Sequence, residues 1–275
     1  MQVTLPDGYR MFVEELGDGL PVIVLHGGPG LDHSMFRPWL DPLADEFRLL
    51  YVDERGQGRS DRVDPATLSL DVFARDVDLL AEALGVGRFA LLGHSFGAIV
   101  TTWHATNVGT AAAYVISGGA DESAAMLADV EASLEAMGER GRPIADSWDQ
   151  EQHVRTDDEL AELMRVQMPF HFAGEVPPGY GEETVYSPDV LRHFSSAGYG
   201  DFDYRPQLGA VHRPTLVVVG ERDRTTTVRA ARVLHEGIED SRLVVVPGVG
   251  HMSFVEDPER YLDAVRTFLR AASGA

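Results

Sequence analysis

Phe89-Ala90-Leu91-Leu92-Gly93-His94-Ser95-Phe96-Gly97 is an apolar run that ends in Gly-x-Ser-x-Gly, and Ala98-Ile99-Val100-Thr101-Thr102-Trp103-His104 follows it. The first part reads as a strand buried on both faces and the last as a helix. Between them a serine sits on a tight turn. Glycines two residues to either side let strand and helix approach closely, and the turn pushes the hydroxyl out above the sheet. Outward from this stretch, similar Val-, Ile- and Leu-rich runs recur at 21–25, 48–52, 113–116, 215–219 and 243–246. Each reads as a further strand. Leu70, Phe73, Val77, Leu80 and Leu84 recur at helical steps before Gly85, so residues 70–84 read as an amphipathic helix. Alternating strands and helices imply a mostly parallel sheet flanked by helices. Residues 1–15 alternate in polarity around Asp7-Gly8 and predict an opening antiparallel hairpin. Residues 258–272 predict a closing helix.

From about Asp121 to Arg205 the Val-rich runs disappear and the periodicity is helical or absent. These residues read as an inserted helical cap over 121–205, with 1–120 and 206–275 forming the core. Because strand character resumes at Pro214, the two ends of the insertion must come close together.

Composition excludes several chemistries. The 275 residues include no cysteine and no lysine, which removes thiol nucleophiles, thiolate metal sites, a Walker-type lysine and a lysine Schiff base. A net charge of −21 opposes binding to nucleic acid and to anionic membranes, and is read as a solubilising surface. No run reaches the roughly 18 apolar residues of a membrane span. The first residues lack a secretory pattern, so a cytoplasmic location is expected.

Serine is a poor nucleophile unless a histidine takes its proton and an acid holds that histidine. Asp223 follows the 215–219 strand and His251 follows the 243–246 strand, so Ser95, Asp223 and His251 all lie just past the carboxyl ends of strands. Their order along the chain suits this architecture. Glu221 and Asp121 are alternative acids, and Asp223 could instead cap a helix beginning near Thr225. The developing oxyanion needs two N–H donors. His26-Gly27-Gly28-Pro29-Gly30 follows a strand, and its Gly28 N–H can pair with that of Phe96. The nine other histidines read as structural: His26 in the loop, His94 and His104 flanking the turn, and His33, His153, His171, His193, His212 and His235 in patterns without partners. None has metal-ligand spacing, and no metal or other cofactor is expected.

These motifs resemble the α/β-hydrolase superfamily, and within it the proline iminopeptidase-like group. The resemblance rests on His26 to Gly30, on Asp53-Glu54-Arg55-Gly56-Gln57-Gly58-Arg59-Ser60, which is similar to the group's Asp-Gln-Arg-Gly-x-Gly-x-Ser segment, and on the placement of the cap. It implies that Asp53 and Arg55 brace the loop near the nucleophile. It also implies acyl transfer from a short peptide or other small molecule, most simply by an aminopeptidase that releases N-terminal residues. Related epoxide hydrolases and haloalkane dehalogenases have aspartate where this chain has Ser95. The Gly-Gly-Ser-Trp-Gly usual in the peptidases is replaced by Gly93-His94-Ser95-Phe96-Gly97, a pattern of esterases and lactonases, which is the alternative reading. A ligand-binding receptor on the same fold is the third. Glu175 is a candidate anchor for a substrate amine, as are Glu182 and Glu183. Trp148 and Phe170, with Met164, Met168, Phe172 and Tyr180, are candidate pocket residues.

Overall fold

In the computed structural model, residues 1–274 are described. Eight strands form one sheet: β1 (Gln2–Thr4), β2 (Arg10–Leu16), β3 (Leu20–Leu25), β4 (Phe47–Asp53), β5 (Ala90–His94), β6 (Ala113–Ser117), β7 (Thr215–Gly220) and β8 (Ser241–Val246). Their order across the sheet is β1-β2-β4-β3-β5-β6-β7-β8. β1 and β2 pair antiparallel, as the alternation around Asp7-Gly8 predicts, and β2 runs antiparallel to β4. Every pair from β4 to β8 is parallel.

Strand side chains alternate between faces, and the core divides accordingly. Ile23, Leu25 and Leu91 pack on one side against α1 (Leu70–Ala83), α2 (Phe96–Asn107) and α7 (Val228–Gly237). Val22, Val24 and Leu92 pack on the other against Phe36, Leu40 and the closing helix α9 (Pro258–Ser273). α1 buries Leu70, Phe73, Val77 and Leu80, each contributing about 1.5–3 kcal/mol. The Ser69 hydroxyl accepts the Val72 N–H at its start. Central strands β5, β6 and β7 are wholly buried. The 243–246 run departs from that expectation: β8 is the edge strand, and only Val246 of its six residues is buried.

Between β6 and β7 the chain forms α3 (Ser123–Ala136), α4 (Arg142–Gln150), α5 (Asp157–His171) and α6 (Pro188–Ser195). The ends of this segment are tied together, with the Ser123 N–H donating to the Phe202 carbonyl and the Tyr204 N–H to the Asp121 carbonyl, both at 2.9 Å. α5 starts on a reciprocal cap in which Thr156 accepts from the Glu159 N–H and Glu159 accepts from the Thr156 N–H. Among the described residues, no helix is long and apolar enough to cross a membrane.

Candidate active site

Ser95 follows β5 directly and precedes α2, with φ 55° and ψ −116°. A non-glycine residue in this region is strained and persists only where its surroundings over-determine it. Here the surroundings are close-packed backbone. A Cβ on Gly93 would run into the Gly97 carbonyl, and one on Gly97 into the Leu25 and His26 carbonyls. The Ser95 N–H donates to the Ser117 carbonyl at 3.0 Å and the Gly97 N–H to the His26 carbonyl at 2.9 Å. Strand, turn and helix are thereby locked around the serine. Phe96 opens α2, so its N–H belongs to the first turn, where no intrahelical acceptor exists.

The loop after β3 passes beside the serine. Gly27 lies close enough that a Cβ would meet Ser95 Cβ at 3.2 Å. The end of the loop is fixed on both sides: the Gly30 N–H donates to Gln57 Oε1 at 2.6 Å, and the Gly30 carbonyl accepts the Ser187 N–H at 2.9 Å. His26 is buried in a structural role, its Nδ1 2.7 Å from the Gly27 carbonyl and its Nε2 accepting the Glu54 N–H at 3.2 Å.

Asp223 and His251 meet. The His251 Nδ1–H donates to Asp223 Oδ2 at 2.7 Å, a direction fixed by the carboxylate's lack of a proton to give. Asp223 Oδ1 accepts the N–H groups of Thr225 and Thr226 at 2.8 and 2.9 Å. Asp223 caps no helix, since α7 starts at Val228 after Thr227; one of its oxygens holds the turn at Thr225 and Thr226, and the other holds the imidazole. The alternative acids are occupied elsewhere, Asp121 by Arg229 and Glu221 by the Gly248 N–H. His251 Nε2 is buried without a hydrogen-bond partner among the described residues.

Ser95, His251, Gly28 and Phe96 all border one cavity of about 640 Å³. Its outer wall comes from the segment between β6 and β7. α5 contributes Met164, Gln167, Met168 and His171, at steps of three, four and seven on one helical face. α3 contributes Met126, Leu127, Val130 and Leu134, and α4 contributes Trp148. Near these apolar residues lies Glu151, buried, with Gln167 Nε2 donating to Oε1 at 3.0 Å and the Tyr199 hydroxyl donating to Oε2. Burial pushes its pKa up to about 7.

Several expected placements are corrected. Glu175, Glu182 and Glu183 are exposed and do not border the cavity. Phe170 is buried against Trp148 rather than facing the cavity, and Phe172 packs on Tyr180. Three histidines expected to lack partners have them. His33 lies between Asp53 and Glu14, His235 bonds Ser241, and His171 bonds Thr225 at 2.8 Å with its ring 5.4 Å from that of His251. Burial, with His251 adding to it, drives the His171 pKa down to about 3, leaving a neutral ring at the cavity wall. Of the two residues expected to brace the loop near the nucleophile, Asp53 holds the connection after β3 through His33, and Arg55 does not reach it. Asp53 binds His33 and the Arg59 N–H, whereas Arg55 binds Asp76 of α1 and Asp7 of the hairpin turn. Asp32, His33 and Asp53 bring metal-binding residue types together. Both ring nitrogens of His33 are, however, committed to carboxylates, and Asp32 accepts from Ser34 and Arg59. Sequence reasoning missed Glu151, because an acidic residue in a turn between polar helices reads as surface.

The profile of the alpha/beta hydrolase fold family matches residues 21–258. AB hydrolase superfamily protein YisY of Bacillus subtilis (strain 168) is 30% identical over 94% of each chain. A proline iminopeptidase of Saccharolobus solfataricus is 24% identical, covering 92% of this chain and 86% of its own. The 3-oxoadipate enol-lactonase 1 of Acinetobacter baylyi is 23% identical, covering 98% and 97%. With its mostly parallel sheet, its serine turn after β5 and a family match from the third strand onward, this chain belongs to the α/β-hydrolase family.

Proposed function

We propose that the chain is a serine hydrolase working through an acyl-enzyme, with the segment 121–205 acting as a cap over its site. One observation carries the reading: a strained serine and an imidazole nitrogen with no partner among the described residues border the same cavity, while the other nitrogen of that imidazole is held by a buried carboxylate. In this mechanism Ser95 Oγ attacks the substrate carbonyl carbon as its proton passes to His251 Nε2. The N–H groups of Gly28 and Phe96 receive the oxyanion, and Asp223 stabilises the imidazolium from the Nδ1 side. His251 then gives the proton to the leaving nitrogen or oxygen. Water, deprotonated by the same ring, releases the acyl group.

The first choice of substrate is a short peptide with a free amino end, cleaved in the manner of proline iminopeptidases. Glu151 supports it, as a buried cavity carboxylate that an ammonium group would hold in its ionised form. The second choice is an ester or lactone with an apolar acyl group, supported by Met126, Leu127, Val130 and Leu134 of α3 and by the likeness to a lactonase.

Prolyl and alanyl arylamides, their N-acetylated forms, short p-nitrophenyl esters and several lactones separate the two. Cleavage of free but not acetylated amides is expected. Equal cleavage of both, or turnover of esters alone, rejects the peptidase reading. A fluorophosphonate probe is expected to label wild type and not Ser95→Ala; failure to label folded wild type rejects the serine mechanism.

A further inference from the structure

The last two residues of α5 and the three that follow, residues 170–174, form a strap between the loops that carry Asp223 and His251. From one side, Nη1 of Arg224, the neighbour of Asp223, donates to the Phe170 and Phe172 carbonyls at 3.3 and 3.2 Å. From the other side, the His171 carbonyl accepts the N–H of His251 at 2.8 Å and that of Met252 at 3.3 Å. The backbone of the proposed base therefore hangs on the strap. Contact is tight, since a Cβ on Gly250 would come within 2.7 Å of both the His171 carbonyl and the Ala173 nitrogen.

A single carboxylate closes this arrangement. Glu256 Oε1 accepts the N–H groups of Ala173 and Gly174, both at 2.9 Å, and its Oε2 accepts the N–H of Gly250 at 2.6 Å. Glu256 ends a one-turn helix, α8 (Ser253–Glu256), whose Phe254 is fully buried and fixes it to the core. Hydrogen bonds from neutral donors to an ionised acceptor are shorter and about twice as strong as neutral ones. The carboxylate thus joins the strap to the residue immediately before His251.

We infer that Glu256 is a positioning residue for His251: it holds the strap and the Gly250–His251 backbone in one frame, so that the imidazole presents Nε2 at the angle proton transfer requires. The inference rests on the proposed role of His251 as base. Chemistry selects a carboxylate here. Its two oxygens both accept, whereas a glutamine amide accepts on one side only and turns N–H toward N–H on the other. Most of the cavity wall, on α3 and α4, is untouched by this residue, and the part it reaches is the stretch at His171 and Met252, so its removal acts mainly on the chemical step.

The experiment uses the full chain with Glu256→Gln and Glu256→Ala, each checked for folding by thermal melting and assayed with the best substrate of the panel above. Misplacing a catalytic group by an ångström costs on the order of 10²-fold in rate. Glu256→Ala is expected to lower kcat by about 10- to 100-fold with KM changed by less than about threefold, and Glu256→Gln to fall between it and wild type. Folded variants with wild-type kcat, or with a loss confined to KM, overturn the inference. Where the alanine variant does not fold, the glutamine variant decides by the same criteria. Failure of the wild type to turn over substrate or to label at Ser95 removes the underlying reading instead, and the two failures are told apart by that control.

Discussion

Glu54 carries a buried carboxyl group whose two oxygens have no hydrogen-bond partner among the described residues. Burial, reinforced by the nearby carboxylates of Asp76 and Asp53, raises its pKa well above the usual carboxylate range. His26, 3.8 Å away, offers no charge in return, because burial lowers its own pKa and its Nε2 is already an acceptor. The group is therefore held protonated, a near-isostere of the glutamine found in the segment it resembles. The folded state keeps this proton where the unfolded chain has lost it, so the stability from this site is fully present below the ordinary carboxylate range and is lost as pH rises through the raised value. Glu54→Gln removes that loss. It is expected to match wild type near pH 4 and to become progressively more stable than wild type as pH is raised to 9, measured by urea unfolding; a gain independent of pH would show that the carboxyl is not the cause. Among the residues of the proposed site, Ser95, Asp223 and His251 could be placed from sequence because their position is tied to strand ends. Glu54, Glu151 and Glu256 are acidic residues in charged or turn-like stretches, and only tertiary neighbours distinguish them from surface groups.

At the scale of elements, legibility follows from where a face points. Strands that bury both faces stand out as apolar runs, and α1, which packs one face on the sheet, shows the expected steps of three and four. Helices α3 and α5 are harder to delimit because their inner faces line a cavity. Met164, Gln167, Met168 and His171 share a face without sharing an apolar character. The attachment of α1 to the opening hairpin is another feature invisible to periodicity. Arg55 donates to Asp76 on α1 at 2.6 and 2.7 Å, to Asp7 at 2.7 Å, and lies 4.0 Å from the centre of the Tyr9 ring. Asp76 is 4% exposed. Removing the guanidinium leaves that carboxylate buried without its partner, and the expected cost of Arg55→Ala is about 3–5 kcal/mol. Thermal or denaturant unfolding checks this, and a loss under about 1 kcal/mol, the size for a solvated pair, would mean that the two elements are held by packing alone. The double variant with Asp76→Asn should recover part of the loss, since the stranded charge is then gone.

Across the whole molecule, a net charge of −21 sets carboxylates against one another over distances longer than any single pair. Many arginines are already engaged at short range, as in Arg48 with Glu15, Arg205 with Asp203, and Arg270 with Glu46. Exposed pairs of this kind contribute about 0–1 kcal/mol each and are too few to neutralise the excess. Salt acts on the two terms unequally. The screening length falls from about 30 Å at 0.01 M to about 3 Å at 1 M, which removes long-range repulsion while contacts near 3 Å keep much of their attraction. Self-repulsion destabilises a compact chain, so relieving it favours the folded state. The melting temperature at pH 8 is therefore expected to rise by several degrees between about 10 mM and 0.5 M sodium chloride. The same series near pH 4, where carboxylates with pKa values of about 4 begin to take up protons, should show a much weaker rise. Sodium chloride is the right salt for the comparison, because sulfate would strengthen apolar burial and raise stability by a separate route. A melting temperature that fell with salt at pH 8 would mean that the ion pairs outweigh the repulsion, and that the acidic excess is spread widely enough to leave the fold unstrained.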